Sequence, residues 1–307
     1  MKKFLRTLLF FAIPVIFAGV AFEILLRRIP NDYSYKSNFL DKNAKKIEVL
    51  FLGNSHVYYG IDPKFIESKS FNASNISQPL DYDLKILEKY QNDWKHLKYV
   101  VVPVDYFSLF TRLESGIEAW RVKNYDLYFG MYSNCDPANY FEIVANQTKY
   151  NLERLRKYYL HGESDLRIDS LGWGTANHSQ NSQDLIESGM VSAKRHRSSS
   201  EKRFLKGQIN VLQKMADFCK ERNIKLILFS SPAYKTYVEN LDINQMNKNK
   251  QILNTFAASD KTVQYYDLLT DCRFDSVDFY DADHLNEIGA KKLSGIFDSI
   301  IKSEPKN

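Results

Sequence analysis

A chain of 307 residues that is 44% hydrophobic and 26% charged can bury a full core, which excludes a disordered tail. Of its net charge of +5, Lys2, Lys3, Arg6, Arg27 and Arg28 against Glu23 account for +4 and leave a nearly neutral body. That distribution sets aside a phosphate-backbone footprint, and with it a nucleic-acid partner.

The N-terminus reads as membrane-directed. Lys2, Lys3 and Arg6 precede "TLLFFAIPVIFAGVAFEILL", whose length matches the ~20 apolar residues that a bilayer core requires. Gly19 and Ala21 are small enough for a processing site, but the apolar run continues to Leu26 and is closed by Arg27 and Arg28. Residues 1–28 are therefore read as an uncleaved single-pass anchor with a cytoplasmic N-terminus, which puts the body in the periplasm or outside the cell. Glu23 is the lone charge in the span; it either faces a membrane partner or marks the outer interface. Residues 29–44 follow as a linker.

From residue 45 onward, strands and helices alternate. Strands are predicted near Ile47–Leu52, Ser70–Ala73, Tyr99–Val104, Lys225–Phe229 and Val263–Tyr266, each a short run rich in β-branched or aromatic residues. Amphipathic helices are predicted at "DYDLKILEKYQNDW", "FLKGQINVLQKMADFCKERN", "INQMNKNKQILNTFAAS" and "LNEIGAKKLSGIFDSII". This order implies an α/β/α sandwich of three layers around a parallel sheet of about five strands, with ligands bound beyond the strands' carboxyl ends. The domain is placed at residues 45–302, with a tail at 303–307. A polar stretch at 162–203, including "LGWGTANHSQNSQ" and "KRHRSSSEKR", interrupts the pattern as a functional or disordered loop.

Ser55, in "VLFLGNSHVYYGIDP", stands just past the first strand, where an α/β protein presents its chemistry. Its bland alternative is helix capping. Beside it, His56 either contacts substrate or fills the turn. Near the C-terminus, "DFYDADHLNEIGAKKL" sets Asp281 three residues before His284, so the carboxylate can hold one imidazole nitrogen while the other faces outward. That is the base and orienter of a hydrolytic triad, unless Asp281 or Asp283 simply caps the helix. His56, His161, His178 and His196 lack the ligand spacing of zinc sites, and neither metal nor cofactor is expected. Cys135, Cys219 and Cys272 are too scattered for a disulfide framework and read as buried hydrophobes. Most of the 20 Tyr and 20 Phe should be core; Trp173, Tyr234 and Tyr237 are better placed for a substrate wall.

The "GNSH" around Ser55 and the "DADH" ending in His284 resemble the first and last blocks of the SGNH/GDSL hydrolase superfamily, in a membrane-anchored form similar to the D-alanyl transfer and alginate-acetylation proteins. The resemblance covers roughly residues 45–302 and implies a flavodoxin-like fold. It implies Ser55 as nucleophile, His284 as general base then acid, and Asp281 as its orienter. The family's second-block glycine is replaced in "FNASNISQP" by Ser74, with Asn72, Asn75 and Ser77 as further donors for an oxyanion. Where the third block has Gly-x-Asn-Asp, this chain has "VPVDYFSL": Asp105 would repel an oxyanion, while Tyr106 and Ser108 could donate.

The expected function is a serine esterase or O-acyltransferase acting on a small acyl group, acetyl foremost, of a surface polysaccharide or other cell-envelope polymer. The alternatives are an inactive polysaccharide-binding module and an assembly protein docked in a membrane acyltransferase complex.

Overall fold

The computed structural model describes residues 1–132, 136–198 and 204–303. Cys135, the end of the "KRHRSSSEKR" run and residues 304–307 lie outside the described residues. The chain forms two compact units, Met1–Ser37 with Ile117–Leu166 and Asn38–Gly116 with Arg167–Asn307.

In chain order the helices that matter below are α1 Lys2–Arg27, α2 Asp32–Asn43, α3 Ser55–Gly60, α4 Leu80–Lys89 and α5 Glu142–Ala145. They continue with α6 Thr148–His161, α7 Leu185–His196, α8 Leu205–Glu221, α9 Ile243–Ser259 and α10 Glu287–Ser303. Helix α1 is long and apolar enough to cross a membrane, with a mean hydropathy of 2.5 over its best window.

The larger unit holds one parallel sheet in the order β2-β1-β3-β4-β5, from β1 Val49–Phe51, β2 Ser70–Asn72, β3 Tyr99–Pro103, β4 Lys225–Ser230 and β5 Val263–Asp267. Helices flank the sheet as the alternating pattern requires. Leu50 pairs with Phe71 on one side and Val100 on the other, and Val101 pairs with Ile227. Because Val49, Leu50 and Phe51 are wholly buried, β1 reads as a continuous apolar run, whereas edge strand β5 is only partly covered. Phe297 of α10 packs edge-on against Phe51 at 6.2 Å and Phe229 at 4.8 Å, so α10 seals the sheet over its central strands. The strand order reverses between β1 and β3, which opens a crevice at their carboxyl ends.

Two stretches to which the sequence assigned no element contain helix. The linker at 29–44 is largely helix α2. Tyr33, Lys36, Ser37, Leu40 and Ala44 recur at helical spacing and are buried, a stripe concealed in the sequence by the polar residues between. The described part of the 162–203 stretch contains α7 and a bend bridged between Ile168 and Gly174. Gly172 explains the bend: its φ is +89°, and a Cβ there would stand 2.1 Å from the carbonyl oxygen of Asn72. Of the cysteines, Cys219 is buried in α8, but Cys272 is exposed in the loop after β5.

One buried carboxyl steadies the turn after β1. Gly53 takes φ +115°, and a Cβ would meet the Pro103 ring at 2.3 Å, so only glycine fits. Its N–H donates to Asp83 Oδ1 of α4 at 2.8 Å, as does Gln78 Nε2 at 2.6 Å. Burial pushes the Asp83 pKa up to about 8, so the carboxyl is mostly neutral below that pH. An unfolded aspartate ionises near pH ~4, so between that and about 8 the folded state holds the extra proton. The stabilisation is complete below the lower value and is lost as pH rises through the upper one. Asp83→Asn should therefore gain melting temperature over wild type as pH is raised from ~5 to ~8; parallel pH slopes for the two proteins would rule out a buried neutral carboxyl.

Candidate active site

Ser55 is the first residue of α3, just beyond the Gly53 turn. Asn54 caps the helix: its Oδ1 accepts the His56 N–H at 2.9 Å, and its carbonyl accepts Val57 and Tyr58. Capping therefore falls to Asn54, which leaves the Ser55 hydroxyl for other work. It lies 2.8 Å from His284 Nε2 although the two residues are 229 positions apart.

His284 is held by a local turn. Asp281 Oδ1 accepts the N–H of Asp283 at 3.1 Å and of His284 at 2.8 Å, and its two carboxylate oxygens meet His284 Nδ1 at 3.0 and 3.1 Å. Tyr280 N–H donates to the His284 carbonyl, and Phe279 bridges Leu285, which closes the turn. Neither aspartate caps α10; Asn286 Oδ1 does so, accepting Ile288 and Gly289 N–H. Ser55, His284 and Asp281 thus form one hydrogen-bonded chain, with Nδ1 held by carboxylate and Nε2 aimed at the hydroxyl.

Behind this chain lies a second ionic line that the sequence did not signal. His56 is buried, with Nδ1 2.9 Å from Asp105 Oδ2 and Nε2 3.4 Å from Asp283 Oδ2. Burial opposes its charge, but Asp105 and Asp283 outweigh it and raise its pKa to about 10, so it is an imidazolium at neutral pH. Both of its ring nitrogens therefore face carboxylates and not backbone. Asp105 also accepts Asn54 Nδ2 and the Ser231 N–H, and its charge is directed into these partners. His196 of α7 stacks obliquely on Phe107 at 4.2 Å and meets the Tyr237 hydroxyl at 2.9 Å. Burial drops the His196 pKa to about 3, so it stays neutral.

The expected oxyanion donors are differently engaged. Asn72 Nδ2 donates to the Val57 and Ile61 carbonyls, and its Oδ1 accepts both the N–H and the hydroxyl of Ser74. Through these contacts the Asn72 side chain ties the end of β2 to α3 and to Ser74. Asn75 Nδ2 donates to Gln78 Oε1, while its N–H donates to the Gly53 carbonyl. Ser77 is a partly buried turn residue with φ +60°. The Tyr106 hydroxyl accepts the Asp242 N–H, and the Ser108 hydroxyl accepts the Asp105 N–H. The expected substrate wall is also mostly interior. Trp173 is 7% exposed and donates to the Tyr59 carbonyl, Tyr237 is 2% exposed, and partly buried Tyr234 packs on Phe279.

His56, Asp283 and His284 carry donor atoms within 4.8 Å of one another, a grouping that could take a metal ion. They fit that role poorly, because both nitrogens of each ring already face a carboxylate or hydroxyl of the chain.

A family model without a descriptive name matches residues 177–305, the stretch containing Asp281 and His284. No curated protein matches the sequence. Among solved structures, the chain is similar to one from Streptococcus pneumonia provisionally described as a platelet activating factor, at 10% identity and a TM-score of 0.43, covering 95% of this chain and 98% of that one. It is also similar to one from Bacteroides fragilis provisionally described as an acylhydrolase, at 12% identity and a TM-score of 0.39, covering 86% and 94%. At these scores neither likeness bears on the chemistry of the site.

Burial lowers the His284 pKa, but Asp283 and Asp281 more than offset it, so the ring titrates above its ordinary 6.5. Proton NMR titration should place His284 above that value, and Asp283→Asn should shift it to lower pH. An unmoved titration would remove Asp283 as the source of the field.

Proposed function

We propose that the chain is a membrane-anchored serine esterase or O-acyltransferase that removes or transfers a small acyl group, acetyl foremost, on an extracytoplasmic polysaccharide. The observation that carries the proposal is the 2.8 Å contact from Ser55 Oγ to His284 Nε2, with Asp281 bonded to the opposite ring nitrogen. A serine hydroxyl is a weak nucleophile until a base takes its proton, and a neutral imidazole held in the right tautomer is such a base.

In the proposed reaction Ser55 Oγ attacks the acyl carbonyl carbon while its proton passes to His284 Nε2. The Ser55 backbone N–H, in the first turn of α3 where no intrahelical acceptor exists, supplies one donor to the oxyanion. The C–O bond to the sugar then breaks, and the leaving alkoxide takes the proton from His284. The acyl group remains on Ser55 as an ester. Water or a second sugar hydroxyl, deprotonated by His284, attacks that ester and restores the serine. The raised pKa of His284 means that the basic form, and with it the rate, declines as pH falls through a value above 6.5.

A binding module is the second reading, and the engagement of Asn72 and Ser74 within the fold is what favours it. One comparison separates the two. In the full chain, Ser55→Ala should abolish labelling by a serine-directed phosphonate and cut p-nitrophenyl acetate turnover by a factor on the order of 10⁶, with the circular dichroism spectrum unchanged. Labelling at wild-type strength in the variant would eliminate Ser55 as nucleophile. Acetylated-glycan binding without turnover in either protein would favour the module.

A further inference from the structure

The smaller unit leaves an apolar surface beside the C-terminal end of α1. Glu23 is buried there, and its carboxylate accepts the N–H of Glu142 at 3.0 Å and of Ile143 at 2.9 Å, which fixes the start of α5. Arg27 joins Glu23 at 2.6 Å and donates to the Tyr140 carbonyl, while the Tyr159 hydroxyl of α6 donates to the Leu25 carbonyl. Glu142 is in turn buried against Lys123 at 2.8 Å and Arg154 at 3.0 Å, which ties α5 to α6. Helix α1 therefore enters this unit as a fixed strut.

The side chains turned outward around that strut are unusually apolar. Phe141 and Val144 flank the two amides that bind Glu23, and both are exposed, Val144 at 61%. On α6, Lys149, Leu152, Arg156, Tyr159 and Leu160 recur at the spacing of a single helix face and are exposed, Leu160 at 75%. A helix face with large apolar side chains and cations lies in a lipid interface, its rings and aliphatic chains among the headgroups and its cations near phosphate.

Length supplies the depth. A bilayer core takes about 20 residues of helix, so the apolar run that begins after Arg6 ends at Leu26. The Leu25 carbonyl bonded to Tyr159 then stands at the outer end of the span, and the amides bonded to Glu23 lie within one helical turn of it. We propose that the surface of Phe141, Val144, Leu152, Tyr159 and Leu160 is a second membrane contact, seated in the interface of the bilayer that α1 crosses. The proposal rests on reading α1 as a membrane anchor. It makes the anchor a footed strut, held to the bilayer by the span and by a collar around its exit point.

The test adds a tryptophan to the full chain in phosphatidylcholine–phosphatidylglycerol vesicles. Val144→Trp and Leu160→Trp, both at exposed positions, are compared with wild type using lipids brominated near the glycerol end of the acyl chains, and using iodide in the water. The expected result is added emission that shifts to shorter wavelength, is quenched by the bromolipid and is shielded from iodide, in both variants. Membrane attachment is scored separately by resistance to alkaline extraction. Loss of the chain on extraction would overturn the anchor and the collar together. Retention with emission quenched by iodide alone would leave the anchor and overturn the collar. Retention with emission reached by neither quencher would place the added tryptophans within protein instead of lipid and equally overturn it.

Discussion

The imidazolium of His56, buried between Asp105 and Asp283, is the interaction on which the rest of the site depends. Asp105 follows β3, His56 lies in the first turn of α3 after β1, and Asp283 belongs to the turn that presents His284. One proton therefore ties together three segments that converge at the sheet's point of reversal. Breaking a buried pair of this kind by removing one partner costs roughly 3–5 kcal/mol, because the other charge is left without compensation. Here the loss would also fall on geometry, since Asn54, which caps α3 and so orients Ser55, bonds to the same Asp105 oxygen.

Two lines of charge run side by side. In one, Asp281 holds His284 and His284 reaches Ser55; in the other, Asp105 holds His56 and His56 reaches Asp283. The rings of His56 and His284 are 5.0 Å apart between centroids, close enough for each line to bias the other. Asp283 draws a proton toward His284, and the cation on His56 repels it. The fold thus sets the basicity of the ring proposed as general base through groups that need not touch a substrate.

The smaller unit applies the same economy of buried charge. Glu142 is buried, but Lys123 and Arg154 bring its pKa down to about 2 against the cost of burial, so it stays ionised and braces α5 against α6. Glu23, the one acid in the apolar N-terminal segment, satisfies two backbone amides at the start of a short helix. The charge of Glu23 is satisfied within its own unit, by these two amides and by Arg27.

The sequence by itself determined what local pattern can determine. The parallel strands were legible because β1, β3 and β4 are buried on both faces and must be continuous apolar runs. The Asp281–His284 pair was legible because three residues of a single turn suffice to bring carboxylate and imidazole together. Tertiary structure decided everything that joined distant segments. The contact across 229 residues joins the turn after β1 to the turn before α10, and no spacing in the chain foretells that His56 would find Asp105 and Asp283. Asn72 and Ser74 have the chemistry of oxyanion donors, yet buried side chains at the end of a strand must satisfy their own polar atoms first. Trp173 and Tyr237 sit in polar or loop sequence but are drawn inward, where their large rings bury apolar surface and their polar atoms find partners. Residue type sets which hydrogen bonds a group can make; burial decides which of them it has to make.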